Sequence, residues 1–255
     1  MVDEYTWYLD ERKQRKHRGL SRFKLKVIGD VLLFLSAASM TLMPMLLGAP
    51  TEENMVSLTA TVLCEAVSWI AIPIYAWLLY TGFDHTRSWL RYGLQLLALA
   101  LVSEVPYDMV TFGKWFDMRS QNPVFGLVIA LIVLVLLEVL QDYGKGLRIT
   151  LTVVLVLVGL LWDWLFRIGQ TQTMLNIGMV TLGMTLVFYY LHARENTMMF
   201  TAALLGAMCF LTPGIGVAFL HYRNDEIGYR HTWTKWAFYA IYPLMMFACG
   251  LVIMR

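Results

Sequence analysis

The sequence predicts an all-α, polytopic transmembrane helix bundle, on three observations. Of the 255 residues, 58% are hydrophobic and only 15% are charged, too few to cover a soluble surface of this size. The apolar residues fall in long runs rather than in a two-residue alternation, as helices crossing oil require. Short polar punctuation separates the runs, and no Gly/Ser/Pro linker or internal repeat divides them. The domain reading is a basic segment over 1–24 followed by one membrane domain over 25–255.

About eight spans are expected, over 25–47, 56–81, 91–112, 123–140, 147–166, 174–192, 198–220 and 236–254. An even count puts both termini on one side. With the N-terminus cytoplasmic, about 14 Lys/Arg lie inside and about 6 outside, most of the excess coming from Arg12 to Lys26. On that topology the 221–235 loop faces out. The basic segment reads as a collar against anionic headgroups. It is too long for a signal-peptide n-region, and the apolar run after it is too long for an h-region, so span 1 reads as a retained anchor. A net charge of +2 gives no reason to expect nucleic acid as a partner. Cys64, Cys209 and Cys249 sit inside apolar runs and read as small hydrophobes. The sixteen methionines are scattered, as packing residues are.

Polar groups that interrupt apolar runs are the places to look for chemistry. In span 1 these are Asp30, Ser36 and Ser39, with Pro44 near its end. Span 2 carries Glu65, expected to face the bundle, and a kink at Pro73. His85, Arg87 and Arg91 follow at its end; they suit phosphate or pyrophosphate, although from the residues alone a positive-inside anchor with an incidental histidine is the favoured reading. Ser103-Glu104-Val105-Pro106-Tyr107-Asp108 sets two carboxylates four apart around a prolyl break, and Glu104 is costly in oil. Gln121 and Asn122 open span 4 as a functional pair or simply as a helix cap. Asp163 and Arg167 are four apart on one helical face, a spacing that allows a local pair. His221, Arg223, Asn224, Asp225, Glu226, Arg230, His231 and Lys235 crowd the last loop without metal-ligand spacing, so no metal is expected.

The run from Pro73 to Arg87 with Arg91-Tyr92, then Ser103 to Asp108, then Gln121-Asn122-Pro123-Val124-Phe125, resembles the TraX family. Leu25-Lys26-Val27-Ile28 and the stretch from Tyr222-Arg223-Asn224 to Tyr242-Pro243 are similar to it as well, in the same order. The resemblance implies an integral protein of the bacterial cytoplasmic membrane. It implies an acyltransferase like the conjugal pilin N-acetylase, moving an acetyl group from acetyl-CoA to an amine or hydroxyl acceptor on a protein or lipid. On that reading His85, Glu104 and Asp108 are catalytic candidates, and Arg87 and Arg91 hold the CoA phosphates. Glu65, Gln121, Asn122, Asp163, Arg223 and Asn224 are further polar candidates. The sequence also departs from the family. Ser36-Ala37 stand where an Asp-His pair is expected, Trp69 for Arg, Thr81 for Glu, Gln95 for Arg and Met245 for His. Loss of those groups suggests the alternative of a degenerate relative that serves as a scaffold or partner of another membrane subunit. A transporter is a weaker reading, because paired broken helices are not evident.

Overall fold

The computed structural model describes residues 19–170, 175–224, 226–229, 231 and 233–254. The basic residues Arg12 to Arg18, together with Asp225, Arg230 and Arg255, lie outside the described residues. Every regular element among the described residues is helical. The helices are α1 (Arg22–Met40), α2 (Leu42–Leu47), α3 (Met55–Ser68), α4 (Ala71–His85), α5 (Trp89–Phe112), α6 (Val124–Val139), α7 (Lys145–Leu165), α8 (Ile177–Leu191), α9 (Glu195–Met208), α10 (Thr212–His221) and α11 (Trp233–Ile253). Among the described residues, five stretches are long and apolar enough to cross a membrane: Met55–His85, Trp89–Phe112, Val124–Asp142, Lys145–Leu165 and Trp233–Ile253.

Local chemistry sets the boundaries. Ser21, Asn54, Ser88 and Asn176 each cap a helix by accepting from a backbone N–H three residues on. The 55–85 stretch breaks at Trp69–Ile70 because Pro73 has no N–H for the Trp69 carbonyl and its ring crowds that carbonyl. Ile72 N–H fills the gap, donating to Trp69 O at 3.1 Å. Pro106 does not end its helix, contrary to the expected prolyl break. The helix α5 continues to Phe112 and stops at Gly113, which takes the left-handed conformation at φ 62°. Packing holds it through the proline: α11 runs alongside, with Gly250 against the Met109 side chain. On α7 only Gly159 and Asp163 are buried among the described residues, so nearly the whole helix faces outward.

The expected seventh span, 198–220, is not one crossing. It is a hairpin, α9 then α10, turned at Phe210 and Leu211, both at φ 65°. A Cβ on Gly206 would lie 2.7 Å from Gly214 Cα, so only glycine allows this approach. With 14 residues, α9 is about 21 Å long, short of the roughly 30 Å hydrocarbon layer. Its tip stops beside the mid-helix break, with the Phe210 and Trp69 rings 5.3 Å apart. The chain therefore returns to the end it left.

That return corrects the expected topology. Leu20 N–H donates to Tyr222 O at 2.7 Å, and Asn224 N–H donates back to Leu20 O at 2.9 Å. Arg22 and Phe23 N–H donate to Glu226 O and Ile227 O. The segments around residues 20 and 222–227 thus share one end of the bundle, where they were expected on opposite faces. From there α11 runs alongside α5, Lys235 near Gln95 and Gly250 at Met109. Ile253 consequently reaches the end opposite Gly19, so the described ends of the chain do not lie together. Arg22, Lys24, Lys26, Arg87, Arg91, Lys145, Arg148, Arg194, Arg223 and Lys235 gather at the first end, called here the basic end. Lys114, Arg119 and Arg167 lie at the far one.

This arrangement makes a topological prediction. In a cysteine-free background, single cysteines at Ile227 and Gly144 should react with an impermeant thiol reagent from the same side of sealed vesicles. A cysteine at Lys114 should react only from the other side. Labelling of Ile227 and Lys114 from one side would contradict the hairpin.

Candidate functional site

A chamber of about 430 Å³ runs along the bundle axis between α1, α4, α5 and α11. Its α5 wall extends from Tyr92 to Thr111, about 28 Å of helix, so it follows much of the depth of the bundle. At the basic end its mouth is formed by Arg22, Lys26, His85, Thr86, Tyr229 and Lys235. Asp30, Tyr75, Tyr92 and Tyr239 stand further in, and Ser36, Ser68, Tyr107, Thr111 and Tyr242 among aliphatic walls beyond them.

Lys26, Lys235 and His85 are each held at the mouth by specific contacts. Lys26 reaches the Phe238 and Tyr229 rings at 5.2 and 5.6 Å, a cation seated on aromatic faces. Lys235 donates to Gln95 Oε1 at 3.1 Å and lies over Trp236 and Tyr239. His85 Nδ1 is 2.9 Å from Thr81 O and 3.2 Å from an Asp84 carboxylate oxygen. Facing two acceptors, Nδ1 is placed to donate, and in the neutral ring that makes Nε2 the acceptor. One turn along α1 from Lys26, Asp30 accepts from the Tyr75 hydroxyl at 2.5 Å. Gly29 makes this pair possible, because a Cβ there would lie 2.8 Å from the Tyr75 ring.

Of the residues singled out from sequence, the structure brings His85 into the chamber and leaves most others out. Arg87 and Arg91 are exposed at the basic end, just past Thr86, and do not line it. Glu104 is tied across to the loop before α6: Asn122 Nδ2 and N–H donate to its Oε2 at 2.5 and 3.1 Å. Asn122 Nδ2 also donates to Ala100 O at 2.8 Å, and its Oδ1 accepts from Val124 N–H at 3.0 Å. Asn122 is therefore both the helix-opening group expected and a clamp between α5 and α6. The Gln121 carbonyl accepts from Gly169 N–H at 2.7 Å. Asp108 accepts from the Asp117 N–H at 2.8 Å, so the two carboxylates of the Ser103–Asp108 block serve different loop positions. In that loop Arg119 grips Asp117 with two bonds of 2.9 Å and holds its carboxyl down at about 2.

Glu65 bridges α3 to α1, accepting from Ser36 and Ser39 at 2.8 and 3.1 Å. The Asp163–Arg167 pair that the spacing allows does not form. Asp163 is fully buried against Gly178 with no partner for its carboxylate among the described residues, and Arg167 turns away at φ 48°. Arg223 lies 4.1 Å over the Trp77 ring and reaches Glu195 at 3.3 Å, closing the base of the hairpin. Asn224 donates to Gly19 O at 3.3 Å, pinning the start of the described chain. Of the chamber residues, sequence reasoning passed over Lys26, Tyr75 and Tyr242, and it noted Asp30 and Lys235 without giving them a role. The available signal was the four-residue spacing of Lys26 and Asp30 on one face of an otherwise apolar helix.

The fold and chamber define a helical bundle of membrane type with an internal, basic-mouthed cavity. The chain belongs to the TraX family: the model of that family, described as TraX protein, matches residues 28–253. Comparison with curated proteins and with solved structures gives no match. The departures noted from sequence map to the chamber. Ser36, Ala37, Trp69 and Thr81 line it, Gln95 bonds its Lys235, and Met245 precedes the lining residue Met246.

The Glu104 clamp is open to test. Asn122→Ala should lower stability by about 1–3 kcal/mol in unfolding measurements in detergent, because it strips donors from a partly buried carboxylate. Gln121→Ala, whose structural bond is made by the backbone, should stay within about 0.5 kcal/mol of the parent. Equal effects would show that the clamp carries no special weight.

Proposed function

We propose that this chain is a TraX-like membrane acyltransferase, moving an acetyl or related acyl group from acyl-CoA to an amine or hydroxyl acceptor at the membrane. The observation that carries the reading is the chamber itself: a cationic mouth leading into an apolar interior of the size of small-molecule sites, roughly 300–1,000 Å³. A CoA thioester has the matching polarity, with anionic phosphates at one end and a slender, nearly neutral arm at the other. The basic end is the cytoplasmic one on this reading, in keeping with its excess of lysine and arginine, and the membrane is the bacterial cytoplasmic membrane.

The phosphates stay at the surface with Arg87 and Arg91, and the arm passes Lys26 and Lys235 into the chamber. Transfer to an amine forms a C–N bond and breaks the C–S bond. The proton leaving nitrogen goes to His85 Nε2 and from there to the departing thiolate. Lys26 and the tyrosine hydroxyls are the available donors for the oxygen that gains charge. Glu104 and Asp108, bonded outside the chamber, serve on this reading to hold α5 in place rather than to move protons.

The second reading is a non-catalytic relative acting as scaffold or partner of another membrane subunit. It is favoured by Ser36 and Ala37, which put a hydroxyl and a methyl on the chamber wall at the positions where an acid–histidine pair is expected.

Equilibrium binding of labelled acetyl-CoA to purified protein separates the two. The enzyme reading expects saturable binding, weakened about tenfold or more by Arg87→Ala with Arg91→Ala, and less by Lys26→Ala with Lys235→Ala. It further expects transfer to be abolished by His85→Ala with binding retained. No saturable binding by the parent protein would leave the scaffold reading standing.

A further inference from the structure

A second depression, of about 700 Å³, lies at the basic end on the other side of the α4 terminus. Thr86 lines both cavities, so the last turn of α4 is the partition between them. Three features characterise the groove. Its upper wall pairs carboxylates with aromatic faces. Tyr189 and Gln141 both donate to Glu138 Oε2 at 2.9 Å, which leaves the other oxygen of that carboxylate to a ligand. The Phe83 ring stacks on Trp89 at 5.5 Å and meets Tyr189 edge-on at 6.4 Å, with Asp84 at the rim. Opposite stands Arg148, whose exposed side chain makes no hydrogen bond or ion pair among the described residues. Below Arg148, Ile149 and Val153 continue the wall down the outward face of α7 and are 63% and 52% exposed.

Carboxylates with π-faces select a cation, and a free guanidinium beside them selects phosphate. Only a zwitterion satisfies both within one groove. The aliphatic floor on an outward-facing helix, at the end of a bundle of spanning length, adds a requirement for hydrocarbon chains. We propose that this groove is a binding site for an aminophospholipid. The primary ammonium of its headgroup sits between Glu138 and Asp84, its phosphate lies on Arg148, and its acyl chains follow Ile149 and Val153. The site does not depend on the acyl-transfer reading, and it would be present in a catalytically silent relative too.

Native mass spectrometry of the full chain, delipidated and titrated with single phospholipids of matched acyl chains, tests this directly. Phosphatidylethanolamine should be retained about tenfold better than phosphatidylglycerol, which lacks the ammonium, and better than phosphatidylcholine, whose ammonium has no N–H to donate. Arg148→Ala and Glu138→Gln should each reduce phosphatidylethanolamine retention about tenfold, and Glu138→Gln alone should narrow its advantage over phosphatidylglycerol, since both lipids carry the phosphate. Arg148 holds nothing else in place, so its variant should keep the parent unfolding temperature and remain informative even if Glu138→Gln loosens the Tyr189 contact. Phosphatidylglycerol bound as well as phosphatidylethanolamine would overturn the proposal by reducing the groove to a basic patch. Phosphatidylcholine bound equally well would remove the role of the carboxylates. Retention unchanged in Arg148→Ala would place the lipid elsewhere.

Discussion

The architecture depends on a close contact of glycine backbones inside the bundle. Gly206 on Gly214 lets α9 and α10 lie against each other, and Gly216 lets α10 approach the backbone at Ile70. Irregular backbone at membrane depth is tolerated only where protein packs around it. Here the hairpin turn and the Trp69–Ile70 break lie side by side, the Trp69 and Phe210 rings in edge-on contact between them. Because the hairpin returns, Tyr222 to Ile227 come back to the end where α1 starts. Lys235 is thereby delivered to the same mouth as Lys26, two cations brought together from the opposite ends of the chain.

The chamber follows from that convergence. Cations seated on aromatic rings keep their heads at the mouth, while tyrosine hydroxyls continue inward where lysine would be too costly. The acids are divided by depth. Asp30 faces the chamber and is answered by Tyr75, whereas Glu104, Asp108 and Glu65 are spent on joining helices and loops. A buried carboxylate in a membrane helix is therefore not by itself a catalytic signature in this fold. Among the described residues, Glu65, Glu104 and Asp108 are bonded across helices and loops, Asp30 alone of these acids stands on the chamber wall, and Asp163 is buried away from it without a partner.

Much of the fold was legible in the sequence, because long apolar runs and caps such as Ser88 and Asn176 act locally. The runs marked five single helices to within three residues at each end, and two further stretches, 25–47 and 56–81, that each divide into two helices. What escaped is non-local. Nothing in 198–220 distinguishes a crossing from a hairpin, since Gly206, Gly214 and Gly216 acquire meaning only against the backbone they touch. The sidedness of the last loop failed for the same reason, because a charge count assumes that every apolar run crosses. Within the site, His85 was legible as a lone imidazole in a charged turn. Lys235 was hidden in a crowded loop, and Tyr75 and Tyr242 looked like ordinary aromatics. Glu104 drew attention through its expense in oil, but its partner Asn122 lies eighteen residues away and no periodicity joins them.

On the proposed acyl-transfer function, the chamber is entered from the basic end and takes an anionic thioester there. Thiol accessibility inside the chamber tests it most directly. In a background lacking Cys64, Cys209 and Cys249, Ser36→Cys places a thiol on the chamber wall, one to two turns deeper than Asp30. The account predicts that a small charged thiol reagent reaches it from the basic side and that acetyl-CoA slows the reaction. Labelling from the far side alone, or labelling indifferent to acetyl-CoA, would contradict it.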